Sequence, residues 1–352
     1  MKRSVISALL VAFILSLIPT HVLADGANFL PIYLMGQDLH QTGQRAIILH
    51  GNTTGNMTQH LILSVQFAGD VEDFAWVVPV PSIPEIDITD ADVFTELSHF
   101  TIAAIPQNRG KPGFACFPAG MTPPNGVDVI DEQVVGPYAT ATLSAEDPNA
   151  LVDWLNDNGY FFPEEGYEVI AEYIEKSWYF VATRINVVDE DTGKALEEGS
   201  IEPVVLSFAS DEIVYPLRIT SLSATDPEVL LYIIADHVMV PEQYPWDVRY
   251  GPWWENEFSL EYADRVSVND LSDYDVLPEL VSTYLAGDEF YLTKLRGKIT
   301  ADEMVDIDFA PYYDAASLEW PAQTNTRGDG IALLTMILIP VFGLYLWRRR
   351  QR

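Results

Sequence analysis

The stretch Phe74-Ala75-Trp76-Val77-Val78-Pro79-Val80-Pro81-Ser82-Ile83-Pro84-Glu85-Ile86 constrains the fold of this chain more than any other. Apolar, strand-forming residues run without alternation from Phe74 into a Pro-x-Pro-x-x-Pro staircase. An unbroken apolar run of this length predicts a strand covered on both faces. Proline lacks a backbone donor and fixes its own φ, so the three prolines set how the chain leaves the sheet. A Pro-x-x-Pro segment can also serve as a ligand for aromatic grooves. Its position directly after a buried-type strand favours architecture over recognition.

Both ends of the chain carry membrane signals. Lys2 and Arg3 precede an apolar stretch from Val5 to Ile18, and Val22-Leu23-Ala24 ends in a small residue before Asp25. That order is the pattern of a secretory signal peptide over residues 1–24, with a retained anchor as the competing reading. Ile331 to Trp347 holds no charge and is followed by Arg348, Arg349, Arg350 and Arg352. As a helix rising 1.5 Å per residue it extends about 25 Å, which Trp347 and snorkelling arginines would stretch toward the ~30 Å hydrocarbon core. Arginines after the span place that end in the cytoplasm. The expected layout is an extracytoplasmic domain over residues 25–316, a polar stalk over 317–330, a membrane helix over 331–347 and a basic cytoplasmic tail over 348–352. The expected location is the cell membrane, in a single pass.

Charge follows from this layout. Removing two basic residues with the signal and four with the tail leaves 13 Lys and Arg against 52 Asp and Glu, a net charge near −39. Phosphate backbones need a basic patch, so nucleic acid is excluded as a partner, and docking on anionic lipid is disfavoured. A hydrated, solubilising surface explains the acidity most simply; cation binding and a saline habitat are the alternatives. The single cysteine, Cys116, allows no internal disulfide. An exported domain of about 300 residues must then be held by its own core.

Along the chain, Asp25 to Met35 reads as an edge strand. Gln44–Leu49 and His60–Phe67 read as strands joined by a long hairpin loop, which carries the sequons Asn52-Thr53-Thr54 and Asn56-Met57-Thr58. Thr89 is the predicted cap of a helix over Val93–Leu97. Pro106 to Asn125 is an ordered loop and Val127 to Leu143 returns to strand character. Asp147 and Pro148 open a helix whose apolar face is Leu151, Val152, Trp154 and Leu155, and Gly166–Lys176 forms another. Trp178–Val188, Ile201–Phe208, Ile213–Leu222, Leu230–Ala235 and Phe290–Gly297 read as strands. Asp273 to Val281 starts a helix, and Thr300 to Glu303 has the form of a capping box. A strand, an acidic turn and a proline-interrupted strand recur at 60–81 and 203–217, which suggests an internal duplication. The fold class is α+β: a β-rich domain of mostly antiparallel sheets with a few covering helices, plus the C-terminal transmembrane helix.

Chemistry is less legible. The sequence lacks His-Glu-x-x-His, Gly-x-Ser-x-Gly, Cys-x-x-Cys and a phosphate-cradling glycine loop. Cofactors are expected to be absent. Calcium or another divalent cation at Asp87, Asp90 and Asp92, or at the Asp189–Gly193 turn, lacks the full ligand spacing. His50 and His60 flank one hairpin, but two imidazoles without a third ligand make no zinc site. Lys294, Arg296 and Lys298 form the basic cluster of the domain. Trp246, Tyr250, Trp253 and Trp254 form an aromatic patch whose ring faces suit the apolar side of a sugar; packing beneath a loop is the plainer reading.

The segment from Gln44 to Gln243 resembles a bacterial family called domain of unknown function 2330. The resemblance rests on Phe74-Ala75-Trp76-Val77-Val78-Pro79-Val80-Pro81, Leu143-Ser144-Ala145, and Leu151 through Trp154 to Gly159-Tyr160. Tyr173–Val181 and Val214-Tyr215-Pro216-Leu217-Arg218-Ile219 complete it. It implies structural roles for Phe74, Trp76, Pro79, Pro81, Trp154, Gly159 and Pro216, and an exported, often membrane-anchored protein. Many members are similar in beginning with a cysteine-rich segment, which this chain lacks. The family supplies no catalytic residues. The functional expectation is a non-catalytic, membrane-anchored ectodomain that binds surface polysaccharide or an envelope protein. Its rivals are an envelope hydrolase using an Asp/Glu pair and a substrate of a sortase-like enzyme.

Overall fold

A computed structural model describes residues 27–29, 43–52, 55–64, 73–101, 127–158, 162–163, 166–186, 188–189, 194–195, 202–222, 227–249 and 255–318. The signal stretch, the Cys116 loop, Gly159, Tyr250, Trp253, Trp254 and the 331–347 span lie outside these residues, as does the side chain of Phe74.

Two sheets dominate. The first has five antiparallel strands: β1 (Ala27–Phe29), β4 (Asp73–Val80), β8 (Tyr179–Asn186), β7 (Tyr138–Ala145) and β6 (Val127–Val135), in that spatial order. The second has eight, in the order β15 (Trp246–Val248), β16 (Phe258–Ser267), β17 (Glu289–Lys298), β13 (Glu228–Ala235), β2 (Gly43–Asn52), β3 (Met57–Ser64), β11 (Val204–Ala209) and β5 (Glu85–Ile88). Its neighbours are antiparallel except β15 with β16 and β13 with β2. A three-stranded antiparallel sheet sets β18 (Ile307–Tyr312) between β12 (Val214–Tyr215) and β14 (Val238–Pro241). The turn after β8 closes as the small hairpin of β9 (Val188–Asp189) and β10 (Lys194–Ala195).

The core explains why several strands read as unbroken apolar runs. Trp76, Val78 and Val80 of β4 pack with Ala46, Ile48, Leu61, Leu63 and Leu231 in an interior between the two large sheets. Val77, Leu143 and Phe180 point the other way, onto α2 (Pro148–Asp157) and α3 (Gly166–Glu175). The far face of the large sheet, with Ile47, Leu49 and Ile234, is covered by α1 (Asp92–Thr101) and α4 (Leu277–Tyr284). Helices, sheet, sheet and helices form four layers, so both faces of β2 and β4 are dry and alternation disappears. Among the described residues no helix is long and apolar enough to cross a membrane.

The proline staircase carries the chain between the two large sheets. β4 ends at Val80, Pro81 and Ser82 bend, and β5 resumes at the edge of the eight-stranded sheet beside β11. Among the described residues β1 pairs with Ala75–Val77 alone and Pro79 has a partner on one side, where a missing N–H is tolerated. α2 is built as its sequence predicts: the Asp147 carboxylate accepts from Asn149 N, and Pro148 opens the first turn.

Several local expectations are corrected. The hairpin loop is short, because β2 runs on to Asn52 and β3 starts at Met57; turn-forming residues there pair as strand. Asp90, not Thr89, caps α1: its Oδ1 accepts from Asp92 N at 2.8 Å, while Thr89 N donates to Pro203 O and prolongs the sheet. The predicted strand over Ile213–Leu222 lasts two residues and becomes a 3₁₀ turn at Arg218–Leu222 after Pro216. The carboxamide of Gln59 takes the place of a neighbouring strand, giving Nε2 to Val214 O and taking Val214 N. Thr300 makes no side-chain cap and donates instead to Asn256 Oδ1. The echoed segments sit in different settings: β3 and β11 are neighbours in one sheet, whereas β4 and β12 lie in different sheets.

His50 and His60 do not face each other. His50 is opposite Gln59 and His60 opposite Leu49, so consecutive pairs put the two imidazoles on opposite faces. His60 is buried against the Tyr284 ring at 4.6 Å, with Nδ1 2.8 Å from Ser207 Oγ. Burial first, and His50 second, lower its pKa from 6.5 to about 4. Between those values the unfolded chain binds a proton that the folded site refuses. The contribution is therefore intact above pH 6.5 and lost as pH falls toward 4, by about 3 kcal/mol. Urea melts at pH 7 and pH 4 should show the parent losing that much more stability than His60→Phe; equal losses would show that His60 is not the titrating group.

Candidate functional site

A connected polar cluster forms where α3 approaches the start of β18. Ser177, at φ 59°, ends α3 with Trp178 N bonded back to Tyr173 O, a left-handed C-terminal cap after which Trp178 lies half-buried, its ring 5.3 Å from that of Tyr173. The helical spacing of Glu172 and Lys176 puts both on the face beside it. Pro216 and the 3₁₀ turn then bring Arg218 to the same place.

Asp306 joins these parts. Its Oδ1 accepts from Tyr173 Oη at 2.6 Å and Arg218 N at 3.1 Å, and its Oδ2 from Lys176 Nζ at 2.8 Å. Tyr173 Oη also accepts from Ile219 N. Burial, then the Asp306 carboxylate, push the Tyr173 hydroxyl well above its ordinary range, so it stays a donor. The Arg218 guanidinium forks onto Glu172 through Nε and an NH2 group, and this hydrogen bonding raises its pKa. Lys176 Nζ stands 5.1 Å from the Trp178 ring centre.

A cavity of about 340 Å³ opens over this cluster, lined also by Gln243 and Asp308. Gln243 Nε2 donates to Asp308 Oδ2 at 2.7 Å, and Asp308 N donates to Gln243 Oε1. Asp308 also lines a second cavity of about 380 Å³, so the two adjoin along the three-stranded sheet. There His237 lies 3.0 Å from Asp236 Oδ1, and its ring meets Tyr313 edge-on at 5.0 Å. Tyr313 is 78% exposed, the most open of the large apolar side chains among the described residues. Taken together as one trough, the two cavities, which share Asp308 in their linings, carry the carboxylates Glu172, Asp211, Glu212, Asp236, Glu242, Asp306 and Asp308 against Lys176 and Arg218. It repels anions, offers hydrogen-bonding groups along its length, and has an aromatic side chain in each cavity. Among the described residues no three His, Cys, Asp or Glu side chains are grouped to hold a metal ion.

The sequence-predicted residues that are among the described ones fall elsewhere. Trp246 is half-buried in β15, edge-on to Tyr312 at 5.4 Å and packed against the interior core; its patch companions lie outside the described residues. Trp76 and Trp154 are core residues, and Pro79, Pro81 and Pro216 shape strand ends. The basic cluster is paired within the fold. Lys294 Nζ is 3.1 Å from Glu261, Arg296 bonds Glu228 and Glu261, and Lys298 lies 3.8 Å from Glu255. Trp178, Arg218, Asp306, Asp308 and Tyr313 escaped the sequence reading as site residues. The available signal was that Tyr173–Val181 and Val214–Ile219 both carry the family resemblance, and these two segments converge on Asp306.

A search of curated proteins finds no match. Among solved structures the chain is similar to the crystal structure of baculovirus P35, at 10% identity over 78% of this chain and 98% of that one, with a TM-score of 0.34. That likeness is too low to inform fold or site. The profile of a family described as an uncharacterised protein conserved in bacteria matches residues 47–311, a region that contains the whole Asp306 cluster. The chain belongs to this family, domain of unknown function 2330.

Proposed function

We propose that this protein is a membrane-anchored, cell-surface ectodomain that binds saccharide chains in the trough between Trp178 and Tyr313. The carrying observation is the pairing of aromatic rings in both cavities with a Gln243–Asp308 hydrogen-bonding step between them. Ring faces stack on the apolar side of a pyranose, while amide and carboxylate groups take its hydroxyls. The acidic balance favours neutral or amino sugars over sulfated or phosphorylated ones. The export signal and the arginine-flanked 331–347 span support the anchored location. Glycan-array screening of residues 25–327, followed by calorimetry, tests the reading. Trp178→Ala should weaken the best ligand at least ~10-fold, the loss of one stacking contact of about 1.4 kcal/mol. Unchanged affinity, or an array without a hit, would refute it.

One observation favours an envelope hydrolase as the second reading. Burial, then the nearby Asp90 carboxylate, raise the pKa of Glu202, the direction a general acid requires. Loss of turnover on chromogenic glycosides or peptides in Glu202→Gln would favour it.

A further inference from the structure

We propose that Asn56 is a site of N-linked glycosylation. The Asn56-Met57-Thr58 sequon supplies the carboxamide and, two residues on, the hydroxyl that this transfer requires. The fold places it at the end of the β2–β3 hairpin, just before Met57 opens β3, and the Asn56 side chain is exposed. Among the described residues none hydrogen-bonds the Asn56 side chain. Beside it Gly55 adopts φ +99°, and a Cβ there would meet no atom within 4 Å, so the loop apex has room for a bulky substituent. Asn52 differs: its Oδ1 accepts from Gly55 N at 2.7 Å, which commits that carboxamide to folding the loop. The two asparagines four residues apart are thereby sorted, one holding the turn and one presented by it. Met57, the middle residue of the sequon, also lines the second cavity, so a saccharide on Asn56 would stand at the border of the trough.

The donor is a polyprenyl-phosphate-linked saccharide on the face of the membrane to which the chain is exported. Asn56 Nδ2 attacks the anomeric carbon, the new C–N bond forms as the C–O bond to phosphate breaks, and the bonding pair leaves with the polyprenyl phosphate. The amide proton passes to a base of the transferring enzyme, and no oxidant or reductant is needed.

Intact mass and peptide mapping of the full chain, purified from the membranes of its own source, test the proposal. The wild-type chain should exceed the sequence mass of its mature form by a saccharide increment, wholly lost in Asn56→Gln and in Thr58→Val. Thr58→Ser, which keeps the hydroxyl, should retain it and so separates loss of the acceptor from a disturbed strand. A wild-type chain without the increment, or an increment unchanged in Asn56→Gln, overturns the assignment.

Discussion

Glu96→Ala is expected to cost about 4 kcal/mol of folding stability. Glu96 lies on α1 yet is fully buried, and its carboxylate accepts from three consecutive backbone donors, Asp275 N, Val276 N and Leu277 N, each at 3.0 Å. Those are donors at the start of α4, whose own cap residue, Val276, has no side-chain oxygen to offer. A negative charge there also meets the positive end of the helix dipole. Alanine would take the acceptor from three backbone N–H groups, of which Leu277 N is buried and the other two part-buried, and would detach α4 from α1 across the core they share. Glu96→Gln keeps the volume but turns one oxygen into a donor facing a donor, so about half the loss is expected. Urea midpoints measure both. A cost below about 1 kcal/mol for alanine would mean the α4 N-terminus finds other acceptors.

This contact also shows why part of the fold was legible in sequence and part was not. Strands β2, β4, β8 and β13 announced themselves because β-branched and aromatic residues run together between turn signals. Helices α2 and α3 did so through a 3.6-residue period and a local Asp-Pro start. These signals are local, and the sequence holds them whole. Glu96 looks like any solvent-facing acid of a short helix, since what makes it structural is a segment 180 residues later. Asp306 is similar: three elements far apart in sequence define it, and in its own neighbourhood it is one acid among many. Where residues 213–222 departed from expectation, Pro216 and a side-chain amide from β3 replaced the ladder that the apolar pattern implied. Of the aromatic patch only Trp246 lies among the described residues, and there Tyr312, from β18, covers its ring edge, a contact 66 residues away in sequence. A surface acidic enough to supply carboxylates everywhere hides the few that the fold selects.

Trp76→Ala should match the Glu96 loss, at about 4 kcal/mol, while Trp76→Phe should cost about 1 kcal/mol or less. Trp76 is 1% exposed in the interior between the large sheets, where it packs with Val78, Val80, Tyr138 and Val181. Alanine would open a cavity that four surrounding layers cannot close, because β4 is held by β8 along its whole length. Phenylalanine keeps most of the aromatic volume and removes something unfavourable. Among the described residues the buried Nε1 of Trp76 has no hydrogen-bond partner, and an unpaired buried donor costs about 1–3 kcal/mol. That relief offsets much of the lost indole area. The pair of variants therefore separates volume from polarity at the centre of the proline-ended strand. If both cost the same, Nε1 must be making a hydrogen bond whose loss equals the cavity; if phenylalanine is nearly neutral, the strand requires an aromatic ring of the right size and the indole N–H adds nothing to stability.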